Sequence, residues 1–352
     1  MFPYWLLFAA CSIGALQYRV KPWQPHYGGA LLTVMVMAIT MMIGFRKEIG
    51  GDWYAYVEIY HSYRFFSLAE ALQIQDPAYS IINWVAIRLG LDIWASNLAC
   101  AAVFGWGLSR FVRQQPNPWL GLVVAVPYLI IVVAMGYTRQ GAAIGVEMAA
   151  IAAFQRNPSL LRFAAYMLVA AAFHKTAIIV FPLVALTVAR NRFMVAGISA
   201  LFAAILFYIF VYSSIDRMVE NYVEADYEAA GAAVRILMTV VAAILFIILR
   251  DRLGLPEGTR AIWRNFAYTA IAAFILLLLS SSTVVLDRLA LYLIPLQIVV
   301  FSRLPVALHR TGKESGLVVL GVIAFYALVQ FVWLQTAVNA MYWLPYKAYS
   351  PL

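Results

Sequence analysis

Charge is what this chain has least of. Of its 352 residues only 12% are charged, about half the share of an ordinary soluble domain. A soluble fold of this length needs far more polar surface, and a disordered chain more still, so both are excluded. The chain has two cysteines, Cys11 and Cys100, each inside an apolar run. They give neither a disulfide framework nor a metal-ligand spacing, which excludes a secreted disulfide scaffold. No Gly-X-Y period exists, so the chain is not collagen-like. The apolar runs are continuous rather than alternating, which excludes a β-barrel. The first run, Phe2 to Ala15, lacks a basic leading segment and a good cleavage site, and reads as a helix rather than a leader peptide. There is no soluble domain, linker, low-complexity stretch or nucleotide-binding loop. No internal repeat is visible, which counts against an inverted-repeat transporter.

What remains is hydrocarbon. Apolar residues make up 64% of the chain and come in runs of roughly bilayer length, ~17–25 residues. The expected class is an all-α polytopic membrane protein, a single integral-membrane domain over 1–352. Crossing helices are predicted near 2–18, 29–45, 92–109, 119–137, 139–154, 160–173, 175–189, 193–212, 231–250, 264–283, 288–302 and 315–335, about 12 in all. The stretch 77–89 is short and carries Asn83, Trp84 and Arg88. It reads as an interfacial or re-entrant helix.

The connecting loops alternate in charge. One set, from Arg19 and Lys21 through Arg110, Arg113, Arg156, Arg162, Arg190, Arg192 and Arg250–Arg264 to Arg303, Arg310 and Lys313, is strongly basic. Its only acids are Asp251, Glu257 and Glu314. The positive-inside rule places this set in the cytoplasm and both termini outside. The net charge of +9 then follows from loop bias. No basic cluster has a folded domain to carry it, so nucleic acid is not an expected partner.

The residues capable of chemistry collect at outer helix ends and outer loops. Arg139, Lys175, Arg235 and Arg288 each stand at the outer end of a different apolar helix. An ionised residue there either snorkels to head groups or faces a cavity and marks function. Four cations from four helices suit a convergent anionic site such as a diphosphate, since Arg offers a bidentate fork and Lys a point charge. Arg139 follows a helix break at Gly136-Tyr137, near a helix N-terminus that favours anions. His174 precedes Lys175 and is either a satisfied core histidine or a neutral base or donor. Asp287 precedes Arg288 and could serve only to pair with a neighbouring cation.

Asp52 follows Gly50-Gly51 and leads into Trp53, Tyr54, Tyr56 and Tyr60. The glycines permit a tight backbone and close ligand approach. Asp52, Tyr56 and Tyr60 recur at one-turn spacing on one helical face, and Trp53 and Tyr54 could stack on sugar rings. The alternative is a helix cap surrounded by belt aromatics. Glu147 lies two turns beyond Arg139 and reads as a buried structural carboxylate, with a transporter's proton relay as the rival. The loop 213–230 holds Asp216, Glu220, Glu224, Asp226 and Glu228 at helical spacing, a solvated face or a lid. With 46–76 it is expected to contribute to the outward-facing site.

The ordered set Gly51-Asp52-Trp53-Tyr54 with Tyr56 and Tyr60, Asp76-Pro77-x-Tyr79, Arg139-Gln140, Phe173-His174-Lys175, Asp287-Arg288 and Pro345-Tyr346 resembles the EpsG family of bacterial exopolysaccharide polymerases. These are Wzy-type membrane glycosyltransferases, similar to the GT-C type. The resemblance spans nearly the whole chain. It implies a bacterial inner-membrane enzyme that passes a growing glycan en bloc from undecaprenyl diphosphate to the end sugar of a new lipid-linked oligosaccharide unit on the periplasmic face. On that reading Asp52 is the general base, with His174 as donor or reserve base. Arg139, Lys175, Arg235 and Arg288 hold the diphosphate. Trp53, Tyr54, Tyr56, Tyr79, Asp76, Gln140 and Asp287 contact sugars. No metal or other cofactor is expected, because fixed cations neutralise the diphosphate and no carboxylate pair stands at metal spacing. A flippase and a chain-length regulator are the protein partners that the resemblance implies, besides membrane lipid. The departure is Lys175, which follows the histidine where relatives are expected to have a small hydroxyl residue. The rivals are a lipid-linked glycan ligase, which uses the same donor but a different acceptor, an O-acyltransferase with a buried histidine, and a flippase or proton-coupled transporter using Glu147.

Overall fold

The structure is a computed structural model that describes residues 1–18, 29–188, 191–207, 231–279, 283–308 and 313–349. Those residues are helical, with no named strand among them. Helices α1 (Phe2–Gln17) and α2 (Ala30–Gly44) are followed by three short helices, α3 (Trp53–Ser62), α4 (Leu68–Ile74) and α5 (Pro77–Arg88). Then come α6 (Ile93–Val112), α7 (Pro118–Ala125), α8 (Thr138–Arg156), α9 (Leu160–Phe173), α10 (Val180–Ala185) and α11 (Arg192–Phe207). The last five are α12 (Ala232–Leu249), α13 (Glu257–Leu279), α14 (Thr283–Ala290), α15 (Pro295–Leu308) and α16 (Lys313–Thr336).

Local chemistry sets many of the helix starts. Proline, whose missing N–H is harmless in the first turn, opens α5 and α7. Ser67 and Glu70 form a reciprocal capping box on α4. Asn117 and Asp92 accept backbone N–H groups at the starts of α7 and α6, at 3.0 and 2.6 Å.

The middle of the molecule is α7 and α8. Every residue of α7 and of the π-helical turns Val126–Ala134 that continue it is buried. A helix apolar all round belongs in the interior. Helix α6 crosses α8 at backbone contact: a Cβ added to Gly107 would lie 1.7 Å from the Gly145 carbonyl oxygen. Small residues at such a crossing let two helices meet where lipid supplies no hydrophobic drive. The wide π turns free carbonyls, and Trp343 Nε1 donates to Ile131 O at 2.7 Å. The chain after α16 fastens over the ends of α1 and α2. Tyr4 donates to Trp343 O and Tyr346 to Met42 O, both at 2.8 Å, while Tyr349 N donates to Phe45 O at 2.7 Å.

Among the described residues, three helical stretches are long and apolar enough to cross a bilayer: Glu257–Leu279, Val285–Leu308 and Ser315–Thr336. Further apolar helices, among them Phe2–Gln17, Ala30–Gly44 and Pro118–Ala134, are shorter. Outward faces of these helices leave large apolar side chains uncovered, such as Leu161, Leu278 and Leu279. Such faces suit hydrocarbon rather than water, and the chain is a membrane protein.

Several boundaries depart from the sequence reading. The predicted helix 175–189 is a 3-10 segment, Lys175–Ile179, followed by the short α10. Within that segment the Thr176 hydroxyl lies 3.1 Å from the Tyr292 hydroxyl. The predicted helix 288–302 begins earlier and ends later, as α14, a 3-10 turn Leu291–Leu293 and α15. Asp287 and Arg288 therefore lie inside a helix rather than ahead of one. The region 46–76 is largely helical, in α3 and α4. The loop 213–230 lies outside the described residues, as do Arg19, Lys21, Arg190 and Arg310.

Candidate active site

The site is built where the chain after α2 presses on the break between the π turns and α8. Gly50 has φ +108°, a conformation that side chains disfavour. A Cβ on it would stand 3.1 Å from Gly136 Cα and 3.3 Å from Met135 O. Gly50 N donates to Tyr342 O at 3.1 Å. This close approach fixes where α3 starts, and Asp52 occupies its N-cap position. The carboxylate makes no cap bond. Asp52 is exposed, and no hydrogen bond or ion pair is seen on its carboxylate among the described residues.

The aromatic residues after Asp52 divide by helical face. Tyr54 is 72% exposed. Trp53, Tyr56 and Tyr60 are buried; Trp53 packs near Tyr349 with ring centroids 6.3 Å apart, and Tyr60 donates to Leu91 O at 2.6 Å. Tyr79 on α5 is fully buried. Of the four aromatic residues expected to contact sugars, Trp53, Tyr56 and Tyr79 are buried and Tyr54 is exposed. Tyr56 and Tyr60 turn inward together with Trp53, while Asp52, at the N-cap and outside the helical turns, stays exposed with Tyr54.

Two of the four expected cations carry a carboxylate. Arg139, in the first turn of α8, donates to Asp76 Oδ2 at 2.9 Å and also to Gln75. Its guanidinium stands 6.0 and 5.9 Å from the rings of Tyr56 and Tyr79. The other oxygen of Asp76 accepts the Lys175 backbone N–H at 3.2 Å. Asp76 thus joins α5, α8 and the turn after α9. Arg235, in the first turn of α12, meets Asp287 of α14 through a two-point fork at 2.8 and 2.7 Å. Arg288 lies over the ring of Tyr137 at 4.1 Å, and its backbone carbonyl accepts Gln140 Nε2 at 2.6 Å. Gln140 is buried, so it ties α8 to α14 rather than facing solvent. Among the described residues neither Arg288 nor Lys175 has a carboxylate within ion-pair distance, and Lys175 is exposed.

His174 caps the end of α9. Thr176 Oγ1 lies 2.7 Å from its Nδ1 and 3.1 Å from the hydroxyl of buried Tyr292. Burial, and then the positive charges of Arg139, Arg288 and Lys175, push the imidazole down to about 3. It is neutral at physiological pH, with Nδ1 engaged.

The charges act on a common neighbour. Burial raises the Tyr56 phenol, Arg139 opposes that rise, and Asp52 and Arg288 also reach it. Geometry brings the charged residues together in one cluster around the helix break at Tyr137: the approach of Gly50 to Gly136 seats Asp52 beside it, Arg288 covers the Tyr137 ring, Gln140 ties Arg288 to α8, Asp76 joins Arg139 to the turn of His174 and Lys175, and Asp287 holds Arg235. Glu147 is not part of its surface. It is fully buried in α8, and neither carboxylate oxygen has a hydrogen-bond partner among the described residues.

One buried cation escaped the sequence reading, which counted it only as a loop charge. Arg46 is 1% exposed. It donates to Ile43 O at 2.7 Å, Asn97 Oδ1 at 3.2 Å and Thr138 Oγ1 at 2.6 Å. It joins α2, α6 and the start of α8 and lies 6.0 Å from the Trp53 ring. Its one signal in the sequence is its place two residues beyond an apolar helix, a position shared with the cations that were noticed.

The profile of the EpsG family matches residues 29–348 of this chain. Comparisons with curated proteins and with solved structures return no match.

Proposed function

We propose that this chain, which belongs to the EpsG family, is a polysaccharide polymerase that joins lipid-linked oligosaccharide units at the outer face of the bacterial inner membrane. Family membership supports a glycosyltransferase-like polymerase in a membrane. The finer reading is that the donor glycan is carried on undecaprenyl diphosphate and the acceptor is the end sugar of a second lipid-linked unit. It also includes about 12 crossings, a GT-C-like arrangement, both termini outside, and cooperation with a flippase and a chain-length regulator.

The observation that carries this reading is a carboxylate near a cation, each without an ion-pair partner among the described residues. Asp52 is exposed and opens the helix seated by the approach of Gly50 to Gly136, next to Tyr137, the ring that Arg288 covers at 4.1 Å. In the proposed reaction the acceptor hydroxyl oxygen attacks the anomeric carbon of the donor. Its proton passes to Asp52. The bond from that carbon to the diphosphate oxygen breaks, and the electron pair leaves with the diphosphate. Arg288 and Lys175, whose charges no described carboxylate offsets, stabilise that leaving group. Arg139 and Arg235, each already paired with a carboxylate, stand as fixed hydrogen-bond donors at the edge of the site. His174, kept neutral, donates through its second nitrogen to a phosphate oxygen. Tyr54, exposed two residues after Asp52, offers its ring to the acceptor sugar.

The test is a deletion strain with its lipid-linked glycans separated by size. The reading requires single units to accumulate on lipid while long polymer vanishes. Long polymer accumulating on lipid would assign a ligase instead. Unchanged polymer length with a missing decoration would assign a modifying transferase.

A further inference from the structure

Below the cluster, α6, α8 and α9 enclose a groove of about 490 Å³, the size of a small-molecule site. Its walls are Ala102 and Trp106 of α6 and Tyr166, Val169 and Phe173 of α9, with Val146 of α8 at its base. The Trp106 and Tyr166 rings stack, 6.3 Å apart and 18° from parallel. No ionised side chain lines the groove. It opens outward, since Val169 is 51% and Trp106 42% exposed.

Two of the lining residues lead along their helices toward the charged cluster. Phe173 is followed directly by His174 and Lys175. Val146 lies seven residues beyond Arg139, two turns along the same face of α8, about 10 Å below it. A ligand whose anionic head meets Lys175 and Arg288 thus has an apolar channel leading down from that head. Burial of a hydrocarbon chain there gains roughly 25 cal/mol per Å² of surface covered. The lining itself is uncharged, so preference over an ordinary membrane lipid rests on the head group meeting Lys175 and Arg288.

We infer that this groove binds the hydrocarbon tail of the diphosphate-linked substrate, taking the segment next to the head group. The inference rests on the polymerase reading for the identity of the head. Tail binding also has a readout of its own.

The probe is a polyprenyl diphosphate with a photoreactive diazirine in the isoprene units nearest the diphosphate, added to the full-length protein in lipid nanodiscs. Crosslinks are expected in the peptides that hold Ala102–Trp106 and Tyr166–Phe173. Unlabelled polyprenyl diphosphate should suppress them, and an equal excess of phosphatidylglycerol should not. The variants Ala102→Phe and Val169→Trp fill the groove from exposed positions, so the fold tolerates them. Each should cut labelling about tenfold, the effect of roughly 1.4 kcal/mol, with an unchanged thermal midpoint. Labelling that phosphatidylglycerol suppresses equally, that maps to other helices, or that both variants leave intact overturns the inference. Specific labelling together with a deletion strain that still makes full-length polymer leaves the groove standing and removes the polymerase reading.

Discussion

The fork between Arg235 and Asp287 permits a quantitative test of how the cations are held. The pair is largely buried, with side-chain exposures of 16% and 6%, and both hydrogen bonds are short, 2.8 and 2.7 Å. Asp287→Asn keeps the shape and removes the charge. Losing one partner of a buried pair costs about 3–5 kcal/mol. Some water reaches Arg235, so the lower end applies, about 3 kcal/mol. Arg235 makes further interactions, so Arg235→Gln alone overstates the pair. The double variant closes a cycle, and the coupling should be about 2 kcal/mol. Arg260–Asp251, at 35% and 71% exposure, is the control, with an expected coupling near 0.5 kcal/mol or less. Reversible unfolding in mixed detergent micelles measures both cycles. A coupling for Arg235–Asp287 no larger than the control would refute the view that α12 and α14 are locked through this fork.

Three further outcomes are expected. Asp52→Asn should abolish polymer while expression and thermal midpoint stay at the wild-type level, because the carboxylate has no structural partner among the described residues; full-length polymer in that variant removes Asp52 as the base. Gly50→Ala should cost about 2 kcal/mol, a typical strain for a left-handed position, and a shift of the thermal midpoint checks it. His174 has a folded-state value pushed down to about 3 against about 6.5 for a free histidine. The unfolded chain therefore binds the extra proton first, and stability should be full above pH 6.5 and fall as pH drops from there toward 3. His174→Gln should flatten that part of the profile, and an unchanged profile would show that another group titrates there.

Much of the site was readable from the sequence because its signals are local. An Arg or Lys at the end of an apolar run stands out against a background of few charges, and Arg139, Lys175, Arg235 and Arg288 were found that way. The helix break at Gly136-Tyr137 was legible from its glycine. Arg46 obeyed the same rule and was missed, because a cation two residues past a helix looks like any loop charge until its partners, Asn97 and Thr138, are in place. The short 3-10 turn at Lys175–Ile179 was hidden by apolar residues that suit either kind of helix.

The sequence by itself determined the class of molecule and named the candidate residues of the proposed site. Too little charge and too much continuous hydrocarbon leave a helical membrane protein, since only helices satisfy every backbone group within an apolar run. Which charges remain available was decided by the tertiary structure alone. Asp76 and Arg139 are 63 residues apart in the chain, and Asp287 and Arg235 are 52 apart. Helix packing closes those distances, and with them it neutralises two cations and leaves Arg288, Lys175 and Asp52 without described carboxylate or cation partners. Packing likewise turned Trp53, Tyr56 and Tyr79 into the interior, because an aromatic ring gains more from burial than from water wherever a neighbouring helix offers a surface to cover it.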